Sequence, residues 1–393
     1  MSMLNTAYGQ LPPAFFFTRL GETVAAYRAA HPGQRLLNLG IGDVHGPLAP
    51  VVIEAMASAV RDQSDAATFR GYLPEVGTRF MRNAVTDHYA RQGVDLSPEE
   101  IFISSGAADD LGAIGNLFSP SARVLVPEPA YPAYVDTNRM AGRPILPLVG
   151  NRENGFLPLP APGPDADLVY LCSPNNPTGT AYTRAQLQQW VDWANERRAV
   201  IVFDAAYEAF VQEADVPHSI YELPGAKACA IEICSLSKTA GFTGTRMGYT
   251  VVPEALVREE LSLRDMWKQD RTTRTNGVSY ILQRGGEAAL SPEGMAQSRK
   301  AIETYWENGR ILAQALRQAG QWFTGGVNAP YLWLPCPQGM SGWAFFERLL
   351  QEAQIVATPG EGFGEGGGGY VRLSCFGSRE DTAEAARRLI QVL

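Results

Sequence analysis

The segment Cys234-Ser235-Leu236-Ser237-Lys238-Thr239-Ala240-Gly241-Phe242-Thr243-Gly244-Thr245-Arg246 is the strongest indication of the fold. It follows an apolar run, residues 228–233, that is typical of a buried strand. Hydroxyls, small residues and an arginine can bind a phosphate group, and an amine beside them can hold a phosphorylated aldehyde. A Ser-x-Ser-Lys motif alone more often belongs to a lysine in a surface loop, so the rest of the chain has to decide.

Length and composition limit the function classes. The chain has 393 residues, 45% of them hydrophobic and 19% charged, which predicts a globular protein large enough for two domains. The net charge of −8 argues against nucleic acid or an anionic membrane as a partner. We expect no membrane span, no signal peptide and no metal site. The five cysteines are odd in number and widely spaced, which favours reduced side chains in a cytoplasmic protein.

Short apolar runs alternate with helical stretches in the middle of the chain. A helix over residues 183–198 begins with the capping box Thr183-x-x-Gln186, and another helix is predicted over 109–118. The predicted strands are residues 101–104, 123–126, 167–172, 200–203, 228–233 and 247–252. This alternation predicts a parallel sheet covered on both faces, with ligands bound beyond the carboxyl ends of its strands.

The pattern predicts three parts. Residues 1–48 form an arm and part of a small domain, 49–290 form the large domain, and 291–393 form the rest of the small α+β domain. In the last part we expect a helix over 292–319, strands over 331–334, 354–358 and 370–374, and a helix starting at Ser378-x-x-Asp381. The glycine-rich stretch 360–365 opens no helix, so it predicts a turn and not a dinucleotide-binding loop.

Polar residues follow several of the predicted strands. Asp204 ends one strand and is expected to pair with the protonated nitrogen of a pyridine ring, although a helix cap is the alternative. Tyr207 and Asn176 could donate to the phenolic oxygen of that ring, and Tyr131 could stack on its face or simply pack in the core.

A phosphate site is predicted beside them. Gly106, Ala107 and Ala108 lead directly into a helix, whose free N–H groups can bind an anion. Ser235, Ser237 and Arg246 would complete this site, which we call the phosphate cradle.

These motifs occur in a characteristic order: Asn-Pro-Thr-Gly at 176–179, Asp-x-x-Tyr at 204–207, Ser-x-Ser-Lys at 235–238, and arginine at 246. The ordered set closely resembles the class I/II aminotransferases, which are fold-type-I enzymes dependent on pyridoxal 5'-phosphate. The resemblance implies an α/β fold with a large, mostly parallel seven-stranded sheet domain and a smaller α+β domain.

The chain is most similar to one branch, the LL-diaminopimelate aminotransferases of lysine biosynthesis. The shared motifs are Gly-Ile-Gly-Asp (40–43), Gly-Tyr-x-x-Glu-x-Gly (71–77), Tyr-Pro-Ala-Tyr-Val-Asp (131–136), Ser-Pro-Asn-Asn-Pro-Thr-Gly (173–179), Ala-Gly-Phe-Thr-Gly (240–244), Asn-Gly-Val-Ser-Tyr (276–280), Asn-Ala-Pro-Tyr (328–331) and Thr-Pro-Gly-x-Gly-Phe-Gly (358–364).

The resemblance implies a ping-pong, Schiff-base mechanism with 2-oxoglutarate as the amino acceptor. Lys238 would bind the cofactor and carry the proton, and Arg372 would grip the α-carboxylate of the substrate. The resemblance also implies a homodimer with active sites at the subunit interface, where Asn276 and Tyr72 reach across. The implied substrate-binding residues are Phe15, Gly42, Tyr72, Glu75, Tyr131, Asn176, Asn276 and Arg372, and Asn276 also contacts the cofactor.

Two positions depart from the branch. Its usual Gly-Ala-Lys is Gly106-Ala107-Ala108 here, and its usual Tyr-Leu-Phe is Phe15-Phe16-Phe17. In the family both altered positions touch the substrate pocket, so the loss of a charge and a hydroxyl predicts weaker binding of a distal ammonium-carboxylate group.

Four alternatives remain open from the sequence. An aminotransferase for another amino acid, or a lyase or oxidase with the same cofactor, would share nearly all of these residues. A ligand sensor fused to a DNA-binding module needs an N-terminal domain, for which about 35 residues leave little room. A nucleotide-dependent oxidoreductase would need a G-x-G-x-x-G turn after the first strand of its sheet, which this sequence lacks there.

Overall fold

The structure is a computed structural model that describes residues 3–12, 16–160 and 165–393. The helices in these ranges are α1 (Phe16–Ala30), α2 (Pro50–Asp62), α3 (Arg79–Ala90), α4 (Ala107–Ile114), α5 (Pro132–Met140), α6 (Arg184–Arg197), α7 (Leu236–Thr239), α8 (Leu263–Arg274), α9 (Tyr280–Leu290), α10 (Pro292–Gln318), α11 (Gly342–Arg348) and α12 (Arg379–Val392). The strands are β1 (Leu37–Asn38), β2 (Ile101–Ser104), β3 (Val124–Glu128), β4 (Ile145–Val149), β5 (Leu168–Cys172), β6 (Val200–Asp204), β7 (Ala230–Ser235), β8 (Gly248–Val251), β9 (Val257–Arg258), β10 (Leu261–Ser262), β11 (Thr324–Gly325), β12 (Tyr331–Pro335), β13 (Ile355–Val356), β14 (Thr358–Pro359) and β15 (Tyr370–Ser374).

A seven-stranded sheet forms the centre of the chain, in the order β2-β8-β7-β6-β5-β3-β4. All neighbours pair in parallel except β8, which is antiparallel to both β2 and β7. Residues 236–247, which include the single-turn helix α7, join β7 to β8 and turn the chain back on itself. The expected α/β fold with a mostly parallel seven-stranded sheet is confirmed.

The sheet is buried on both faces. All residues of β5, β6 and β7 are buried, as a parallel sheet between two helical layers requires. Helix α6 has the predicted capping box, in which Thr183 and Gln186 bond to each other's backbone N–H. The apolar side of α6, including Trp190 and Leu187, packs in the core on one side of the sheet.

A smaller four-stranded antiparallel sheet, in the order β11-β12-β15-β14, lies in the C-terminal part of the chain. Its core joins Leu332 and Leu373 of the sheet to Leu316 of α10 and Leu389 of α12. Strand β1 pairs in parallel with β13, so an N-terminal segment packs with this C-terminal unit. The three-part division at residues 48 and 290 is consistent with these cores and stays a prediction.

Three predictions of elements were wrong in detail. The helix predicted over 109–118 is α4, which starts at Ala107 and is followed by a short 3-10 helix, Gly115–Leu117. The single strand predicted over 354–358 is two short strands, β13 and β14. The predicted turn at 360–365 contains the 3-10 helix Gly360–Phe363.

All five cysteines are free, and four of them are buried, as expected. Across the described residues, no helix combines the length and apolar character needed to cross a bilayer.

Candidate active site

A cavity of about 380 Å³ opens at the carboxyl ends of the central strands. Strands β5 and β6 end at the paired residues Cys172 and Asp204, and β7 continues two residues past the partner of Asp204 to Ser235. The predicted site residues that line the cavity are Gly42, Ala107, Ala108, Tyr131, Asn176, Asp204, Tyr207, Ser235, Ser237, Lys238, Arg246 and Arg372. The sequence motifs thus converge on one cavity in the folded chain.

Lys238 lies in the single turn of α7 and its amine donates to the carbonyl oxygen of Gly42. Burial lowers the pKa of Lys238 to about 8, although the carboxylate of Asp43 opposes this shift. The guanidinium groups of Arg372 and Arg246 lower the pKa further. More of this amine is therefore neutral near pH 7 than in an ordinary lysine, which suits a nucleophile.

Asp204 is a buried carboxylate that neutral donors hold in place. The hydroxyl of Tyr134 donates to Oδ2 at 2.6 Å, and the backbone N–H of Ala206 donates to Oδ1 at 3.0 Å. No basic side chain in the described ranges forms an ion pair with Asp204, and burial raises the pKa of this carboxyl. A cationic group in the cavity would compensate the buried charge. The alternative of a simple helix cap does not fit, because the helical turn that follows begins at Glu208 and has Tyr207, not Asp204, as its N-cap.

The residues of the predicted phosphate cradle lie close together. Gly106 has a φ of +120°, and a Cβ built there would lie 2.6 Å from Nη2 of Arg246, so only glycine fits. Nη1 of Arg246 donates to Oγ of Ser237 at 3.2 Å. The N-terminus of α4 at Ala107 faces the same cavity as Ser235 and Arg246. Backbone N–H groups, hydroxyls and a guanidinium together fit a phosphate dianion.

Arg372 lies on β15 and reaches the cavity from the smaller sheet. Its Nη1 donates to Oδ1 of Asn176 at 2.6 Å, and its Nη2 donates to the carbonyl oxygen of Gly40 at 2.7 Å. The guanidinium is buried and stacks on Tyr331 at 4.4 Å and on Phe363 at 5.0 Å. A planar cation fixed in this way can bind a carboxylate with two parallel hydrogen bonds.

Two tyrosines that the motifs had singled out have neighbours that the sequence did not reveal. The hydroxyl of Tyr207 is hydrogen-bonded to that of Tyr331 at 2.8 Å. Tyr131 lies at the N-terminus of α5, where its ring meets the ring of Tyr134 edge to face at 5.7 Å. Both Tyr134 and Tyr331 line the cavity and were missed. The spacing Tyr131-x-x-Tyr134 across one helical turn could have indicated the first of them.

Several other lining residues were also missed: Phe17, Asp43, Leu111, Cys172, Ala206 and Thr243. Each of them lies within four residues of a predicted site residue along the chain, but none belongs to a motif that marks it as a site residue.

Four predicted residues, Gly106, Asn276, Tyr72 and Glu75, do not line this cavity in the single chain. Tyr72 is 91% exposed, and Asn276 is also exposed. Gly277 lies against Pro74 and Glu75, so the segment of Asn276 and the loop of Tyr72 are neighbours on one surface. Phe15 lies outside the described residues.

The family model "Aminotransferase class I and II" matches residues 34–389, nearly the whole chain. The chain belongs to the class I and II aminotransferase family. The cofactor of this family is pyridoxal 5'-phosphate. The amine of Lys238, the uncompensated carboxylate of Asp204 and the phosphate cradle fit the aldehyde, the ring nitrogen and the phosphate of that group.

The aminotransferase has curated relatives that match it end to end. It is 47% identical to the LL-diaminopimelate aminotransferase of Agathobacter rectalis, over 99% of each chain. It is 45% identical to the enzyme of the same name from Bacteroides fragilis, again over 99% of each chain.

Solved structures share the fold of this aminotransferase. The L,L-diaminopimelate aminotransferase of Chlamydomonas reinhardtii superposes with a TM-score of 0.93 at 39% identity, covering 99% of this chain and 98% of that one. Substrate-bound BacF from Bacillus subtilis gives a TM-score of 0.86 at 27% identity, covering 100% and 98%.

Proposed function

We propose that this aminotransferase takes the amino group of LL-diaminopimelate, or of a closely related amino acid, and passes it to 2-oxoglutarate. Full-length relatives at 45–47% identity carry the name of that activity, which supports the choice of donor. The observation that carries the proposal is the convergence of Lys238, Asp204 and Arg372 on one cavity.

Lys238 is the proposed catalytic residue. When bound, pyridoxal 5'-phosphate supplies an aldehyde for the substrate amine and an electron sink for the pair left at Cα when its proton leaves. The Nζ of Lys238 would hold the cofactor until a substrate amine takes its place. The freed Nζ would then accept the Cα proton and deliver it to the cofactor's aldehyde carbon, which the substrate nitrogen separates from Cα. The lowered pKa keeps this amine able to act as a base near neutral pH.

The other lining residues hold and orient the reactants. Asp204 is proposed to pair with the ring nitrogen, and Asn176 and Tyr207 to donate to the ring oxygen. Tyr131 is proposed to stack on the ring. The fork of Arg372 is proposed to bind the α-carboxylate of either substrate, beside the backbone of Gly42, which lines the same cavity.

We also propose that the active unit is a homodimer, in which Asn276, Tyr72 and Glu75 complete the cavity of the partner subunit. The exposed loop of Tyr72 and the adjoining Asn276 segment support this proposal, because both lie on the surface and outside the lining of their own cavity. Exposed apolar side chains on α2, Ile53 and Val60, add to the same argument. The free cysteines support a cytoplasmic location.

The choice of donor is tested by a panel of amino acids, including the diaminopimelate isomers, with and without 2-oxoglutarate. We expect turnover of LL-diaminopimelate that requires 2-oxoglutarate and yields glutamate. Ala108 lines the cavity where the branch usually has a lysine, so we expect a higher KM for diaminopimelate than in relatives that keep the lysine. Turnover of another donor without diaminopimelate activity would refute the choice of donor. Product formation without 2-oxoglutarate would instead indicate a lyase or an oxidase.

A further inference from the structure

A buried carboxyl lies directly behind the phosphate cradle and takes no part in the chemistry proposed above. Asp110, in the first turns of α4, is 1% exposed. Its Oδ2 accepts a hydrogen bond of 2.6 Å from the hydroxyl of Ser104, the last residue of β2. The same hydroxyl oxygen accepts from the backbone N–H of Gly106 at 3.4 Å. Ser104 and Asp110 therefore tie the end of β2 to the start of α4, behind the backbone of the cradle.

The backbone of the cradle has little space on its other sides. A Cβ on Gly106 would strike Nη2 of Arg246 at 2.6 Å. A Cβ on Gly248 of β8 would lie 2.9 Å from Cα of Gly106 and 3.0 Å from the backbone nitrogen of Ala107. The cradle is thus confined between β8, Arg246 and the bond from Ser104 to Asp110. Of these three constraints, the last is the only one made by side chains that do not line the cavity.

We propose that Asp110 is a positioning residue, which acts through Ser104 to hold the N–H groups of Gly106 to Ala108 in the geometry that binds the cofactor phosphate. This inference rests on the proposed phosphate site. Asp110 itself makes no contact with the cofactor. Its carboxyl fixes where α4 begins and how the first N–H groups of α4 point.

The hydrogen bond from Ser104 requires an oxygen acceptor at position 110 and does not require a negative charge there. Burial raises the pKa of Asp110 to about 7, although the hydroxyls of Ser104 and Thr250 and the guanidinium of Arg271 lower it. A neutral carboxyl is therefore accessible near pH 7, and its carbonyl oxygen still accepts from Ser104. Asparagine has the same shape and offers the same acceptor, so it should preserve the cradle where alanine does not.

Comparison of two cofactor forms separates this role from a general structural one. Full-length apoenzyme is titrated with pyridoxal 5'-phosphate and with pyridoxal, which lacks only the phosphate, and the ratio of their dissociation constants is measured. We expect Asp110→Ala to reduce the preference for the phosphorylated form about tenfold or more, as for the loss of one hydrogen bond. Asp110→Asn should keep the preference within about threefold. The exposed neighbour Asp109 gives the matched control, because Asp109→Ala removes a charge from the same helical turn without touching Ser104.

Ser104→Ala provides a second variant if Asp110→Ala does not fold. It should reduce the preference as much as Asp110→Ala, and the double variant should lose no more than either single one. Equal weakening of both cofactor forms in Asp110→Ala would show a structural role only and overturn the inference, as would an unchanged preference. If the unsubstituted enzyme shows no preference for the phosphorylated form, the proposed phosphate site itself is wrong.

Discussion

Replacement of Arg372 by lysine tests the substrate-binding geometry most directly. The arginine is 2% exposed and its two terminal nitrogens are already oriented by Asn176 and Gly40. Its Nε is buried and has no hydrogen-bond partner within the described part of the chain. Lysine keeps the positive charge but offers a single point donor at the end of a flexible stem. The substitution therefore removes the fork and leaves the charge.

The expected magnitude follows from the number of bonds. A carboxylate gripped by the fork receives two charge-assisted hydrogen bonds, and lysine can supply one of them. A hydrogen bond to a charged group contributes about 1.5–3 kcal/mol, so kcat/KM should fall about 10- to 150-fold. The amino donor and the oxo acid each carry an α-carboxylate. The loss should therefore be of similar size for both substrates.

The assay measures kcat/KM for each half-reaction separately, and the melting temperature alongside. Arg143 is a matched control, since it is another buried arginine, bonded to Asn138 and to backbone carbonyl oxygens outside the cavity. Arg143→Lys should lower the melting temperature without changing kcat/KM. A loss in Arg372→Lys that affects only one substrate, or that stays below about threefold, would refute the assigned role of the fork.

Three further predictions concern the amine, a buried ion pair and the backbone. Lys238→Ala should abolish the visible absorbance of the bound cofactor and nearly all turnover; normal transamination by this variant would disprove the assignment. Burial alone would raise the pKa of Glu208, but His218 and His88 beside it hold that pKa at about 2. Glu208 in turn raises the pKa of His218. The pair of Glu208 and His218 therefore stabilises the fold fully between pH 4.5 and pH 6.5, which are the ordinary pKa values of glutamate and histidine. The stabilisation is lost as the pH rises through the raised pKa of His218. Glu208→Gln should accordingly lower the melting temperature more at pH 5.5 than at pH 9, and an equal loss at both would contradict the pairing. Gly179→Ala should destabilise by about 3 kcal/mol or more in urea unfolding, because φ is +68° and the new Cβ would lie 2.2 Å from a carbonyl oxygen of β12. Gly33→Ala, at φ +89° in open space, should show only the backbone strain of about 1 kcal/mol, so equal losses in the two variants would exclude the clash.

The fully buried strands could be predicted from the sequence, and the partly buried strand β4 could not. Strands β2, β5, β6 and β7 are continuous apolar runs, and each was predicted to within about two residues. Strand β4 lies at one edge of the sheet, as β2 does at the other, but it was missed because it is only partly buried and contains Pro147. Proline has no N–H group to donate, and it is tolerated in an edge strand at a position that needs no donor. A pattern of alternating apolar runs cannot reveal such a strand.

The site was predicted where its residues follow strands, and missed where they come from distant segments. Asp204 and Lys238 lie directly after buried strands, so their position at the sheet edge followed from the pattern. Tyr331 enters from β12 of the smaller sheet, 124 residues from Tyr207, and only the packing of the two units brings their hydroxyls together. Contacts of that kind depend on tertiary structure, which local periodicity does not encode.

The orientation of Asn176 shows how the two units cooperate in the site. An amide side chain can present either its oxygen or its nitrogen to a ligand, and the sequence does not distinguish the two. Here Arg372 donates to Oδ1 of Asn176 at 2.6 Å, so the oxygen faces the guanidinium and the NH₂ group remains available to the cavity. The residue proposed to bind the substrate carboxylate therefore also sets the amide proposed to donate to the ring oxygen. Lysine has a single amine in place of the fork, so it cannot bond to the carbonyl oxygen of Gly40 and hold the amide of Asn176 in the same fixed geometry. It follows that Arg372→Lys should disturb the contact to the substrate carboxylate and the contact to the ring oxygen together.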